Sequence, residues 1–351
     1  MTKLFFKDKP IIGLDISQTS IKVMAINPKT WGVIGYGAVN LEPTKAHEAL
    51  EGEGEYITEN ISRLMQEKLI GRLPSNHVIL GVPTSRSFSR MITLPASAEA
   101  TLKDAVDIEI EQYVPIAANA LYIDYELIER TADRLVIVVS AVPKVLVDTC
   151  ITACESAGLQ PIVVEPSINS VARLLQATED GDLPTVIVDI NPISTDIAIL
   201  DKGALRVSGG IGIGGNTFTL DIAKKLGIPH ENAHQLKVLS GLNVGPRQAK
   251  IISALQPSLT RILTEIRKVI RYYNERLSDD RKLEQVLIVG AGSNVPGIGD
   301  YFTNELIMPV RVAHPWQRLD FGSLQQPSSQ FRSQYIAVAG LASVKDQEIW
   351  K

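Results

Sequence analysis

Short apolar runs bounded by turn residues near the start of the chain, and apolar residues recurring with period 3.6 in stretches further on, mark out the elements. Residues 10–16, 20–27 and 31–42 are β-rich segments with turn residues between them and predict a meander. Residues 55–70 then place Ile57, Ile61, Leu64, Met65 and Leu69 at helical spacing, ahead of an apolar strand over 77–82. A compact unit follows over 85–142. It has a strand reaching Leu94, a helix from Ser97 to about Tyr113 with Ser97 as its cap, a stop at Pro115, and strands over 121–130 and 134–142. Next come a helix over 144–157 ended by Gly158, a strand over 160–165 and a helix over 167–177. Gly181, Asp182 and Pro184 punctuate the middle of the chain.

The opening pattern then returns. Pro10-Ile-Ile-Gly-Leu-Asp15-Ile and Pro184-Thr-Val-Ile-Val-Asp189-Ile each read as a proline, an apolar run, an aspartate at the strand end, a polar turn and a second apolar strand. The two aspartates stand 174 positions apart, close to half the chain, which predicts an internal duplication. The second copy continues with strands over 195–201 and 204–209, a glycine turn, helices over 216–227 and 230–240, and a long amphipathic helix over 246–277. Pro257 predicts a kink in that helix, or its division in two. A strand over 285–289 runs into Gly290-Ala-Gly292-Ser293, and 334–344 reads as a closing helix.

Composition narrows the classes of function. At 351 residues the chain has the length of about two domains. The formal charge of −4 and 5% aromatic content offer neither a cation field for a phosphate backbone nor a stacking surface for bases, so no nucleic-acid partner is expected. Cys150 and Cys154 lack the further ligands of a zinc site and read as buried thiols in a reducing compartment. Residues 1–9 have no signal-peptide pattern, and no uncharged apolar run reaches the roughly 18–20 residues of a membrane span. A soluble, cytoplasmic protein without direct membrane insertion is expected.

Three motifs invite chemistry. His230-Glu231-Asn-Ala-His234 fits the zinc-protease pattern, but it opens a helix behind Pro229, with no third ligand near in sequence, and reads as a solvated helix start. Gly210-Ile-Gly212-Ile-Gly214-Gly215 satisfies the dinucleotide fingerprint literally, yet helices follow where a parallel strand ending in an acid is needed. What remains is a glycine turn before a helix, able to face an anion or to serve only as a tight exit from the hairpin. The third motif is the repeated hairpin. An aspartate at a strand end can hold magnesium through water while the following turn of small residues faces phosphates. Two such hairpins predict a nucleotide clamp, with Lys22 adding a point charge.

These residues resemble the actin-like ATPase superfamily and, within it, the PilM family of type IV pilus assembly proteins, relatives of the cell-division protein FtsA. The resemblance covers nearly the whole chain. Asp15 to Lys22 matches the first phosphate loop, Asp189 to Asp196 the second, Glu165-Pro166 the connecting segment, and Leu287-Ile-Val-Gly290-Ala-Gly292-Ser293 the adenosine motif. Leu94-Pro95, Glu109-Ile-Glu111-Gln112-Tyr113-Val-Pro115, Asp124-Tyr125, Gly214-Gly215-Asn-Thr217 and Ala339-Gly340-Leu341-Ala342 resemble the pilus family more narrowly.

The resemblance implies an α/β, actin-like (ribonuclease H-like) duplicated two-domain fold with an FtsA/PilM-type inserted subdomain. Residues 1–84 and 143–181 would form the first domain and 85–142 the insertion. Residues 182–215 and 284–351 would form the second domain, with 216–283 as its helical subdomain. It implies ATP with Mg2+ as cofactors. Asp15 and Asp189 would organise the metal. Ser17, Gln18, Thr19, Ser20, Lys22, Asn191, Ser194, Thr195, Gly214 and Gly215 would meet phosphates, Lys237, Gly290, Gly292 and Ser293 would cradle the nucleoside, and Glu165 would orient a water. Four positions depart from the family pattern: Ser17 replaces a glycine, Asn191 and Pro192 replace small residues of the second loop, and His234 replaces the ribose-binding glutamate. They lead to an expectation of nucleotide binding with weak or absent hydrolysis. The implied partners are the N-terminal cytoplasmic peptide of a PilN-like bitopic membrane protein, seated between the first domain and its insertion, and the platform and motor of the pilus machine. An FtsA-like ATPase or filament former is the alternative.

Overall fold

The computed structural model describes residues 11–179, 183–243, 245–277 and 281–344. The expected strand start at Pro10 and the punctuation at Gly181 and Asp182 lie outside the described residues. Two compact units divide the chain, the first built from described residues of 1–178, 315–326 and 335–351, the second from those of 179–314 and 327–334.

The first unit opens with β1 (Ile12–Ile16), β2 (Ser20–Asn27) and β3 (Gly32–Asn40), the expected meander. Then come α1 (Pro43–Ala49), α2 (Glu55–Glu67), β4 (Leu69–Gly71) and β5 (His77–Val82). The sheet order is β4-β3-β2-β1-β5-β9, where β9 spans Gln160–Pro166. β1 pairs antiparallel with β2 and parallel with β5, so it is central, and all five of its residues are buried. That burial on both faces is why it reads as a continuous apolar run rather than an alternation.

β6 (Phe88–Pro95), α3 (Leu102–Glu111), β7 (Leu121–Arg130) and β8 (Arg134–Pro143) make the inserted unit, with strand order β6-β8-β7. Leu94, Val106, Ile110, Leu135 and Ile137 give it a core of its own. α4 (Lys144–Ser156) and α5 (Ser167–Thr178) follow.

In the second unit β10 (Thr185–Ile190), β11 (Thr195–Asp201) and β12 (Ala204–Ile211) repeat the antiparallel opening. α6 (Gly215–Leu226), α7 (His230–Leu239), α8 (Gln248–Arg276), β13 (Gln285–Val289), α9 (Ile298–Leu306), β14 (Val310–Val312) and α10 (Ser329–Arg332) complete it. β10 pairs parallel with β13, as β1 does with β5, so the sequence echo is a topological one. α11 (Ile336–Ala342) returns to the first unit, although 284–351 was expected to lie in the second. It packs on α5, where a Cβ added to Gly340 would meet the Ser170 carbonyl well inside the 3.0 Å that real Cβ atoms keep.

Other expectations shift for identifiable reasons. α8 is one continuous helix through Pro257, not two. Leu255, Leu259, Ile262 and Ile266 bury its face in the second unit's core, and that burial outweighs one lost backbone bond. Ser97 caps nothing, because it lies in a 3₁₀ segment, Ala96–Thr101, and α3 starts only at Leu102. Leu69 leaves the expected helix for β4, drawn onto the edge of β3. α1 was missed because its cap is a glutamate: Glu42 accepts from the N–H groups of Thr44 and Lys45 at 3.1 and 2.8 Å, ahead of Pro43. Among the described residues no helix is long and apolar enough to cross a membrane.

Candidate functional site

Pairing places both hairpin aspartates at the same register. Asp15 faces Lys22 across β1 and β2, and Asp189 faces Asp196 across β10 and β11. Asp15 is buried and fully engaged: Lys22 Nζ stands 3.2 Å from Oδ2, and Ser167 Oγ, from the first residue of α5, donates to Oδ1 at 2.7 Å. Ser167 was not foreseen as a site residue. Its signal was its place directly after Glu165-Pro166, since the register of β9 on β5 puts that corner beside the end of β1.

The turn after Asp15 is closed on itself. Ser17 N donates to the Ser20 carbonyl at 2.9 Å. The N–H groups of Thr19 and Ser20 donate to Ser17 Oγ at 3.3 and 3.1 Å, and Oγ donates to the Ser20 carbonyl at 2.9 Å. Gln18 points elsewhere, with Nε2 3.2 Å from His47 Nδ1.

In the second unit Asn191 shapes the turn: its N–H donates to the Ser194 carbonyl at 2.8 Å and its Nδ2 to Asp196 Oδ2 at 3.2 Å. Thr195 Oγ1 donates to the Ile213 carbonyl, which fixes the glycine turn leading to α6. The first N–H groups of α6, Gly215 and Asn216, donate to the carbonyls of Asn191 and Pro192 at 2.9 and 2.8 Å.

Lys237, on α7, reaches that same helix start. Its Nζ donates to the Gly215 carbonyl at 2.8 Å and to Thr219 Oγ1 at 2.9 Å, and burial pulls its pKa down to about 8. Gly290 follows β13 with φ +84°, and a Cβ there would overlap Asp189 Oδ1, so only glycine lets this backbone come so near the carboxylate. Ser293 Oγ donates to the Gly290 carbonyl at 2.7 Å, and Gly292 packs on Ile190. Lys22 thus lies directly against Asp15 and the Gly290 backbone directly against Asp189, while Gln18 turns away. The buried carboxylates of Asp15 and Asp189 are of the kind that fits a hard, oxygen-bound cation, since magnesium takes one or two carboxylates and completes its shell with water and ligand.

Glu165 stands apart from this pattern. Arg173 Nη1 and Nη2 donate to its two carboxylate oxygens, both at 2.7 Å, so the carboxylate is oriented by Arg173 and only its remaining lone pairs are left to accept from a water. His230 and His234 are exposed at the start of α7, and the described residues contain no group of three metal-ligating side chains. Cys150 and Cys154 are buried and free, and burial raises both thiols, Cys154 to about 12, so both stay protonated.

A second feature had no residue-level signal in the sequence. A groove of about 790 Å³ lies between α3 and β7, within the first unit. Ile108, Leu121, Tyr122, Ile123 and Tyr125 supply its apolar surface, and Ile108 and Tyr122 are 62% and 47% exposed. Asp104, Asp107 and Glu111 face Lys103 and Lys144 around it, an acidic excess of one. Tyr122 is held in place by a 2.9 Å hydrogen bond from its hydroxyl to Asp148 on α4.

A family model described as Type IV pilus assembly protein PilM matches residues 13–345. Among characterised proteins, the cell-division protein FtsA of Neisseria meningitidis serogroup B is 26% identical over 188 residues, covering 48% of this chain and 45% of FtsA. FtsA of Borreliella burgdorferi is 21% identical over 327 residues, 87% of this chain and 70% of its own length. The first of these relatives is thus matched over less than half of its length. Among solved structures, a PilM-PilN type IV pilus biogenesis complex superposes with a TM-score of 0.78 at 20% identity, covering 95% of this chain and 97% of the other. MreB5 of Spiroplasma citri bound to ADP gives 0.55 at 14% identity, covering 95% of each chain. These likenesses establish the actin-like fold expected from the sequence. The family match, running from β1 through both hairpins and the insertion to the end of α11, makes this chain a member of the PilM family of type IV pilus assembly proteins.

Proposed function

We propose that this chain is a cytoplasmic scaffold of type IV pilus or related secretion machinery, which recruits the N-terminal cytoplasmic peptide of a PilN-like membrane protein. The groove between α3 and β7 is the observation that carries the proposal. Exposed Ile108, Tyr122 and Tyr125 offer apolar anchoring, and β7, last in its sheet order, offers a strand edge to an extended peptide. The acidic excess favours a peptide that also carries a basic residue. Membership of a pilus assembly family and the likeness to a PilM-PilN complex support this partner. Through that peptide the protein would reach the membrane face where the platform and motor assemble.

The test is fluorescence anisotropy with labelled N-terminal peptides of the bitopic pilus proteins from the same genome. One should bind, and Ile108→Asp or Tyr122→Ala should weaken it about tenfold or more, as loss of an interface anchor does. Failure of every peptide, or equal binding by both variants, removes the groove from the function.

ATP with Mg2+ belongs to the same proposal. In the first unit Asp15 would hold the metal through water, with Lys22 and the turn from Ser17 to Ser20 at phosphate. In the second, Asp189 would hold the metal, the 191–195 turn and Gly214-Gly215 would meet phosphate, and Lys237 with Gly290, Gly292 and Ser293 would meet the nucleoside. The bonds that tie down Glu165 and the N–H groups of α6 support slow or absent turnover. Nucleotide content of the purified protein tests binding, and Asp15→Asn with Asp189→Asn should abolish it. The similarity to FtsA favours a second reading, an ATP-driven filament former. A pellet that sediments only with ATP would support that reading over the scaffold.

A further inference from the structure

We infer that the Ser17 hydroxyl is a built-in stand-in for a phosphate oxygen, so that nucleotide enters the first loop only by expelling it; the inference rests on the proposed binding of ATP. A phosphate-binding turn works by presenting backbone N–H groups to an anion. Here the N–H groups of Thr19 and Ser20 point at Ser17 Oγ, 3.3 and 3.1 Å away. The hydroxyl is held in that seat by donating its own proton to the Ser20 carbonyl at 2.9 Å. A phosphate oxygen would accept from the same two N–H groups, and the two acceptors exclude one another.

The nearby cation is committed as well, with Lys22 Nζ 3.2 Å from Asp15 Oδ2. The second unit shows the same economy by other means. The N–H groups of Gly215 and Asn216, which would face an anion at the start of α6, are taken by the carbonyls of Asn191 and Pro192. Each unit therefore holds its loop in order with internal acceptors and needs no nucleotide to satisfy it. Such a protein keeps its fold and its peptide groove without a nucleotide, and its affinity for one is lowered by the bonds that must first break.

Ser17 has no positive φ, so alanine takes its backbone conformation without strain and removes only the hydroxyl. Calorimetry with Mg·ATP on the full chain and on Ser17→Ala, Ser17→Gly and Ser17→Thr tests the inference, together with thermal melting of each without nucleotide. Alanine and glycine should bind about five- to tenfold tighter than the parent, the factor of one net hydrogen bond. Alanine should also melt a few degrees lower, while threonine, which keeps the hydroxyl, should match the parent in both. If the parent binds and Ser17→Ala binds equally or more weakly, the hydroxyl is no stand-in, and ATP binding itself is untouched. If no folded variant binds at millimolar ATP, the inference and the nucleotide reading fall together.

Discussion

Lys237 gives the sharpest quantitative consequence. Its ammonium is buried between the Gly215 carbonyl and Thr219, and burial lowers its pKa from 10.5 to about 8. The unfolded chain releases this proton near the ordinary lysine value, so between those two values the unfolded state holds more protons than the folded one. Stability therefore rises with pH across that window. Below about pH 8 both states are protonated, and the penalty for burying the charge is present in full. At 1.36 kcal/mol per pKa unit, the shift corresponds to about 3 kcal/mol. Lys237→Met keeps a long side chain, removes the titration and leaves the Gly215 carbonyl without its donor, an offset that does not change with pH. The assay is urea unfolding of the parent and Lys237→Met at intervals from pH 7 to pH 10. Groups that titrate alike in both proteins cancel in the difference. The parent should gain on the variant by about 2–3 kcal/mol over that range. A difference that stays flat, or that moves against the parent as pH rises, would refute a desolvated ammonium at the start of α6.

Further consequences are equally direct. Gly290→Ala must adopt φ +84° and place a Cβ against Asp189 Oδ1, so a loss of about 2 kcal/mol or more is expected, read as a lower urea midpoint. An unchanged midpoint would mean that β13 does not press on β10 there. Cys150 and Cys154 should resist iodoacetamide at pH 8 in the native protein and react on unfolding, because burial keeps both thiols protonated. Rapid native alkylation would contradict that burial. A double-mutant cycle with Glu165→Gln and Arg173→Met should give a coupling of about 1–2 kcal/mol, modest because the Arg173 side chain is 30% exposed. Zero coupling would release Glu165 for another role.

Much of the fold was legible in the sequence because its strands are short apolar runs bounded by turn residues, and because the run ending in Asp15 returns 174 residues later at Asp189. Hydrophobic period and glycine placement are local properties, and they located β1, β2, β10, β11, β13, α4, α6 and α7 within a residue or two. The two aspartates could be named because the chain must bend at the end of each β-hairpin and small polar residues mark the bend, whereas the second-loop residues and the nucleoside glycines were named only through the family resemblance. A net charge of −4 and 5% aromatic residues offer little to a nucleic-acid backbone or its bases.

Contacts between segments distant in the chain were decided only by tertiary structure. Leu69 has helical spacing but joins β3, since an unpaired sheet edge is satisfied better by a strand than by one more helical residue. Pro257 sits inside α8 because the burial of ten residues along that helix outweighs a single missing N–H. Ser167 reaches Asp15 across 152 positions, Arg173 closes on both oxygens of Glu165, and Ser17 bonds the amides of its own turn. The α3–β7 groove has no linear motif, for its walls come from residues about twenty positions apart that face each other only once the insertion has packed. Periodicity records which face of an element is buried; which partner buries it, and which donors that packing uses up, depends on energies summed over the whole fold.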